Sequence, residues 1–173
     1  SLSTVTLNSG SIIGTTSLTA SSLVVSAGSI ASTVTLAGAA GIAKTGTGTV
    51  TVGGLNTFTG QVEVLDGALA FDTIANADGT SSALGAPTTA AQGAIRLGFA
   101  ATTGTLTYTG SGHVTDRQID LVGGTGGGMI DADGTGALVL NGAITSEDGG
   151  AKSLTLRGSS AGGIINRVAL PIT

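Results

Sequence analysis

The 173-residue sequence predicts an all-β chain wound as a β-solenoid, with roughly three short strands per coil. Three observations carry that expectation. Short runs alternate apolar and polar residues with period two. Gly, Asn and Asp punctuate the runs. The composition lacks the side chains that fill a thick core.

The alternating runs come in order along the chain. They are Thr4–Leu7, Thr33–Leu36, Thr49–Val52, Gln61–Val64, Ala94–Leu97, Thr105–Tyr108, Gln118–Leu121, Ala137–Leu140 and Ser153–Leu156. Successive side chains on a strand face opposite ways, so Val, Ile and Leu point inward while Thr, Ser, Gln, Arg and Glu point outward. Turn residues follow many runs, as at Asn8-Ser9-Gly10, Gly53-Gly54, Asp66-Gly67, Gly123-Gly124 and Asn141-Gly142. No segment carries a convincing helical period. The stretch Ile74–Leu84 is small and polar and reads as a loop.

Composition narrows the architecture. The chain has 31 Gly and 28 Thr, but the aromatics are only Phe58, Phe71, Phe99 and Tyr108. A core one aliphatic residue deep suits these side chains. Charged residues make up 9 %, against about 25 % in ordinary soluble domains. The 40 % hydrophobic content separates the chain from disordered sequences. Thr4-Val5-Thr6-Leu7 returns as Thr33-Val34-Thr35-Leu36, 29 positions on, and Gly46–Val52 is echoed by Gly134–Leu140, 88 positions on. These echoes suggest stacked coils of roughly 25–30 residues, six or seven in all.

The same figures exclude several function classes. The net charge is −4, with no basic patch, so nucleic acid is not an expected partner. Without Cys there is neither a disulfide framework nor a thiolate metal site. No run of 18 apolar residues forms a membrane helix, and four scattered aromatics do not make the girdles of a membrane barrel, so the chain is not expected to insert in a membrane.

Residues 42–71 resemble a known family. The carrying stretch is Lys44-Thr45-Gly46-Thr47-Gly48-Thr49-Val50-Thr51-Val52-Gly53-Gly54-Leu55-Asn56-Thr57-Phe58-Thr59-Gly60, continuing through Val64 to Asp66-Gly67-Ala68-Leu69. It is similar to the passenger-associated strand repeat of bacterial autotransporters. It departs at Leu55, Phe58 and Gln61-Val62-Glu63, all compatible with strands. Residues 1–41 and 72–173 are expected to be diverged coils of one solenoid segment, itself part of a longer chain or fibre. The resemblance implies a right-handed parallel β-helix on the outside of a Gram-negative-type cell. It also implies a structural role in a fibre, an adhesin stalk or an autotransporter passenger, and no particular activity.

Gly158-Ser159-Ser160-Ala161-Gly162 matches a nucleophile elbow, but the only His, His113, precedes it and no helix follows. Gly38–Thr45 nearly makes a phosphate loop, with Ala43 where Gly is required and a strand following. Asp131 and Asp133 offer alternate oxygen ligands for Ca²⁺, yet read best as a turn. Asp116 and Asp120 share strand parity beside Arg117, the ingredients of a polysaccharide-degrading groove, but no sugar-stacking aromatic lies nearby in sequence. His113 reads as a lone surface residue, and Glu147-Asp148 as an exposed turn. The Thr-x-Thr pairs at 4/6, 33/35, 49/51, 57/59 and 105/107 would form a surface-, glycan- or ice-binding array if they aligned. We therefore expect no catalytic, ligand-binding or metal residues, no cofactor and no enzymatic activity. Neither end shows a cap, so the expected partners are further repeats or end-to-end copies, with a cell-surface glycan or host surface as the alternative.

Overall fold

The computed structural model describes residues 1–147 and 149–159, and the backbone of 164–166. Its chain is a parallel β-solenoid. One seven-stranded sheet runs in the order β1 (Val5–Leu7), β4 (Leu23–Val25), β7 (Ile42–Lys44), β9 (Val62–Val64), β11 (Ile95–Leu97), β14 (Ile119–Leu121) and β17 (Ile144–Ser146). A second runs β2 (Ser11–Ile12), β5 (Gly28–Ile30), β8 (Thr49–Val52), β10 (Gly67–Phe71), β12 (Thr103–Tyr108), β15 (Gly127–Ala132) and β18 (Ser153–Gly158). Two shorter sheets join β3 (Ser17–Thr19) to β6 (Thr35–Ala37), and β13 (Ser111–Thr115) to β16 (Gly136–Leu140) and β19 (Ile164–Asn166). Every strand pairing is parallel. The chain passes from the first sheet to the second and returns one rung further on.

All nine alternating runs fall on strands, and Ile74–Leu84 is a loop. One turn of helix, α1 (Ala90–Gly93), was not anticipated; the side chain of Thr89 caps it by accepting from Gln92 N. The coil length departs from expectation. Val5 pairs with Leu23, Val24 with Ala43 and Ile42 with Val62, so early coils take 18–20 residues. Val62 pairs with Ile95, 33 residues on, and Ile95 with Ile119, 24 on. The sequence echoes misled because similar strands sit in different sheets. Val5–Leu7 belongs to the first sheet, whereas Thr35 and Leu36 lie in β6; the other echo pairs β8 with β16.

Register places one residue type above another in rows. On the first sheet an inward row runs Leu7, Val25, Lys44, Val64, Leu97 and Leu121. On the second, Ile12, Ile30, Val52, Phe71, Tyr108 and Ala132 stack inward, with the Phe71 and Tyr108 rings 5.6 Å apart and tilted. The core is thin but continuous, and Val25, Val50, Val64, Leu69, Ile95 and Leu97 are fully buried.

The motif residues of 42–71 hold corners rather than chemistry. Lys44 stands in the inward row with no exposed surface, and its ammonium donates to the carbonyls of Thr45, Gly46 and Asp66 at 2.8, 2.6 and 2.9 Å. Burial lowers its pKa from the ordinary value of 10.5, with the nearby Asp66 charge opposing that shift. Gly67 adopts φ +66° directly above this corner, where a Cβ would lie 2.5 Å from the Gly46 and Gly48 carbonyl oxygens. Asn56, also fully buried, acts in place of a strand. Its Oδ1 accepts from Leu36 N on the coil before, and its Nδ2 donates to Ala83 O, both at 2.8 Å.

Two substitutions test this packing by urea unfolding. Leu69→Ala is expected to cost about 2–5 kcal/mol, as for large-to-small changes at buried sites. Asn56→Ala strands a buried donor and acceptor and is expected to cost about 2–4 kcal/mol. Faster amide exchange at Leu36 should accompany the second change; unchanged exchange there would refute the bridging role of Asn56.

Candidate functional site

The residues singled out for sugar cleavage do not converge. Arg117 is 1 % exposed and points inward, donating from Nε to Gly93 O at 2.6 Å and from Nη1 to Leu84 O at 2.7 Å. Burial pulls its pKa down to about 10, opposed by Asp116, so it stays charged at neutral pH. Asp116 turns instead to the long loop between β10 and β11, accepting from Ala77 N at 2.9 Å, while its own N–H donates to Asn76 Oδ1. Thr115 Oγ1 donates to Ala75 O. Together these groups clasp residues 75–93 to the solenoid wall. Asp120 faces outward from β14 but is 4 % exposed, covered by Gln118 Nε2 and Thr145 Oγ1, which both donate to Oδ1. The groove that a polysaccharide-degrading alternative would need, with Asp116, Asp120 or Asp131 around Arg117, is not formed.

Asp131 lies half-buried on β15, 4.0 Å from the Arg157 guanidinium, and Asp133 follows in an exposed turn. Among the described residues no three His, Asp or Glu gather as a metal site. Ser160 and Asp148 lie outside the described residues. His113 is not a lone surface residue. It occupies a ladder position opposite the buried Leu138, and Tyr108 OH meets its Nδ1 at 2.7 Å. Gly112 N also donates to that hydroxyl. Beside this pair an open groove of about 500 Å³ runs under the edge of β13, bordered by Leu55, Asn76, Asp78 and Val114.

The Thr pairs do not line one face. Thr49/Thr51 and Thr105/Thr107 share the second sheet, but Ala68 and Ala70 of β10 stand between them. Thr6 lies on the first sheet and Thr35 on β6.

The first sheet carries the feature that sequence reading missed. Its outward row places Glu63, Arg96 and Asp120 on successive rungs. Arg96 binds Glu63 Oε1 through Nη1 at 2.9 Å and Glu147 Oε2 through Nη2 at 3.2 Å. Glu147 is therefore an ion-pair partner and not only a turn residue. The carboxylates raise the Arg96 pKa above its usual value, outweighing burial, which acts most strongly the other way. Next to this row is a cavity of about 320 Å³ walled by Glu63, Leu65, Arg96, Phe99, Ala100 and Val122. Phe99 is 61 % exposed, whereas Phe58, Phe71 and Tyr108 are all buried. Sequence distance hid the arrangement, since 84 positions separate Glu63 from Glu147. The available signals were the alternation of Glu63 and Arg96 within their strands and an aromatic beside a glycine at Gly98-Phe99.

The chain is related to an autotransporter adhesin. Over 158 residues, 87 % of its length, it is 35 % identical to a protein named Adhesin BmaC autotransporter from Brucella suis biovar 1 (strain 1330). The matched stretch spans 4 % of that much longer relative. No family model matches the chain, and no solved structure matches it.

The clasp can be tested by hydrogen exchange. Arg117→Met removes the donors to Gly93 and Leu84, and the amides of 75–93 are expected to exchange at least about tenfold faster. The ladder amides of Leu69 and Leu106 should stay protected. Unchanged exchange in 75–93 would contradict the anchoring role.

Proposed function

We propose that the chain is a structural segment of a cell-surface, adhesin-like autotransporter passenger, exposed outside a Gram-negative bacterium. The single observation that carries this reading is the unbroken pairing of both seven-stranded sheets through every rung. Each rung is tied to the next by backbone hydrogen bonds, so the segment resists bending and local unfolding as one body. The relationship to an autotransporter adhesin supports the cellular setting.

In this reading the coil is right-handed, the hand taken by nearly all parallel strand crossovers. It has about three strands per turn, with the third replaced by the Asn56 segment and the long clasped loop in the middle coils. The role is mechanical and involves no catalytic step, a view supported by the commitment of Asp116, Asp120 and Arg117 to structural bonds. The strands β1 and β2 each have one sheet neighbour. Further coils of the same chain, or a stacked copy, would pair with those edges.

Surface labelling tests the setting. An antibody raised against the chain should decorate intact bacteria that produce the full protein, and external protease should remove the signal. Labelling only after cell lysis would overturn the proposal. Sedimentation tests the edges: the chain alone is expected to associate with rising concentration, and a strictly monomeric species would argue that the edges are closed.

A further inference from the structure

The geometry points to a carbohydrate-binding site at the Phe99 cavity, with a neutral sugar stacked on the Phe99 ring and its hydroxyls held by Arg96 and Glu63. This deepens the adhesin-like reading and rests on it, because it supplies that reading with a contact.

Exposing a phenylalanine forgoes the favourable burial of an apolar ring, in a chain that buries its other three aromatics. The backbone is arranged to keep it out. Ala100 has φ 51°, the only positive φ at a non-glycine among the described residues. Such a conformation is strained for a residue with a Cβ and persists only where the surroundings impose it. Here Thr102 imposes it. Its N–H donates to Phe99 O at 2.8 Å, and its hydroxyl lies 2.7 Å from Phe99 O and 2.5 Å from Leu65 O on the preceding coil. The ring is thus displayed on a braced turn, and a ligand would lose little free energy to ordering it.

The walls match the two surfaces of a pyranose. Phe99, Leu65, Ala100 and Val122 offer apolar contact to the C–H face of the ring. At the rim Arg96 and Glu63 are about a third exposed, with side-chain accessibilities of 32 % and 30 %. A guanidinium has five N–H donors and each carboxylate two acceptor oxygens, so capacity for hydroxyl groups remains after the ion pairs are made. The 320 Å³ volume falls at the small end of ligand pockets. Charge selects among sugars. Glu63 and Glu147 outnumber Arg96, and Asp120 adds a further carboxylate on the next rung. Sialic acids and uronates meet net repulsion there, whereas neutral hexoses and N-acetylhexosamines do not.

The test is binding of the purified chain to immobilised neutral oligosaccharides and to their sialylated and uronate-bearing counterparts. Phe99→Ala and Phe99→Tyr serve as variants, with circular dichroism confirming that both keep the β fold. At least one neutral glycan is expected to bind. Phe99→Ala should weaken that binding about tenfold or more and Phe99→Tyr less than about threefold. Preference for acidic glycans, equal binding by Phe99→Ala, or no neutral binding up to about 1 mM would each sink the proposal. So would self-association of the chain abolished by Phe99→Ala, which would make Phe99 a contact between copies. Adherence of intact cells separates this proposal from its premise. Cells that adhere while the purified Phe99→Ala chain binds the glycan as well as the parent retain the adhesin reading and lose the sugar site. Non-adherent cells whose purified chain still binds a neutral glycan retain the site and lose the reading.

Discussion

Rung spacing governs this molecule. Parallel strands joined by backbone hydrogen bonds lie about 4.8 Å apart, and the two long sheets keep that spacing through every coil. Each side chain therefore has a fixed neighbour above and below in its row. An inward row accepts only groups that pack against, or bond to, those neighbours. Branched aliphatics meet the requirement directly, which is why the core needs few aromatic rings. Lys44 meets it differently: its stem lies in the row and its ammonium reaches three corner carbonyls. Those bonds offset the cost of taking the charge out of water.

The same constraint explains where irregularity is allowed. A coil can lengthen only between strands, because the strands are held in register. Between β10 and β11 the chain makes a long excursion with one helical turn and then resumes pairing, Gly67 with Gly104 and Val62 with Ile95. The excursion keeps only scattered backbone bonds, such as Asn56 N to Ser82 O and Ala86 N to Phe58 O, so side chains supplement them. Arg117, Asp116 and Thr115 on the following coil supply donors and an acceptor, and Asn56 on the preceding coil donates from Nδ2 to Ala83 O. Charged and amide residues that resemble catalytic candidates in the sequence are here substitutes for missing backbone pairing.

That substitution marks the boundary of what the sequence discloses. Alternation in runs such as Thr49–Val52 and Gln61–Val64 is a local property, and it located strands and inward faces correctly. Two- and three-residue strands such as Ser11–Ile12 and Ser17–Thr19 are too short to alternate visibly, and β15 begins with two glycines. Coil length is not local, since Thr4–Leu7 and Thr33–Leu36 look alike while occupying different sheets. The Phe99 cavity was illegible for the same reason. Its members meet only because register sets Arg96 over Glu63 and the turn after β11 folds back on Leu65. Asp120 was noticed for its neighbours in sequence, but its bonding partner Thr145 and its row neighbour Arg96 belong to other rungs.

The excursion between β10 and β11 has an evolutionary corollary. Because the ladder resumes in register whatever the corner contains, insertions and deletions there leave the load path unchanged. Change is tolerated in what protrudes, whereas the rows are held by register. A lineage built this way can rewrite its profile at the corners, one loop at a time, without ever passing through an unfolded ancestor.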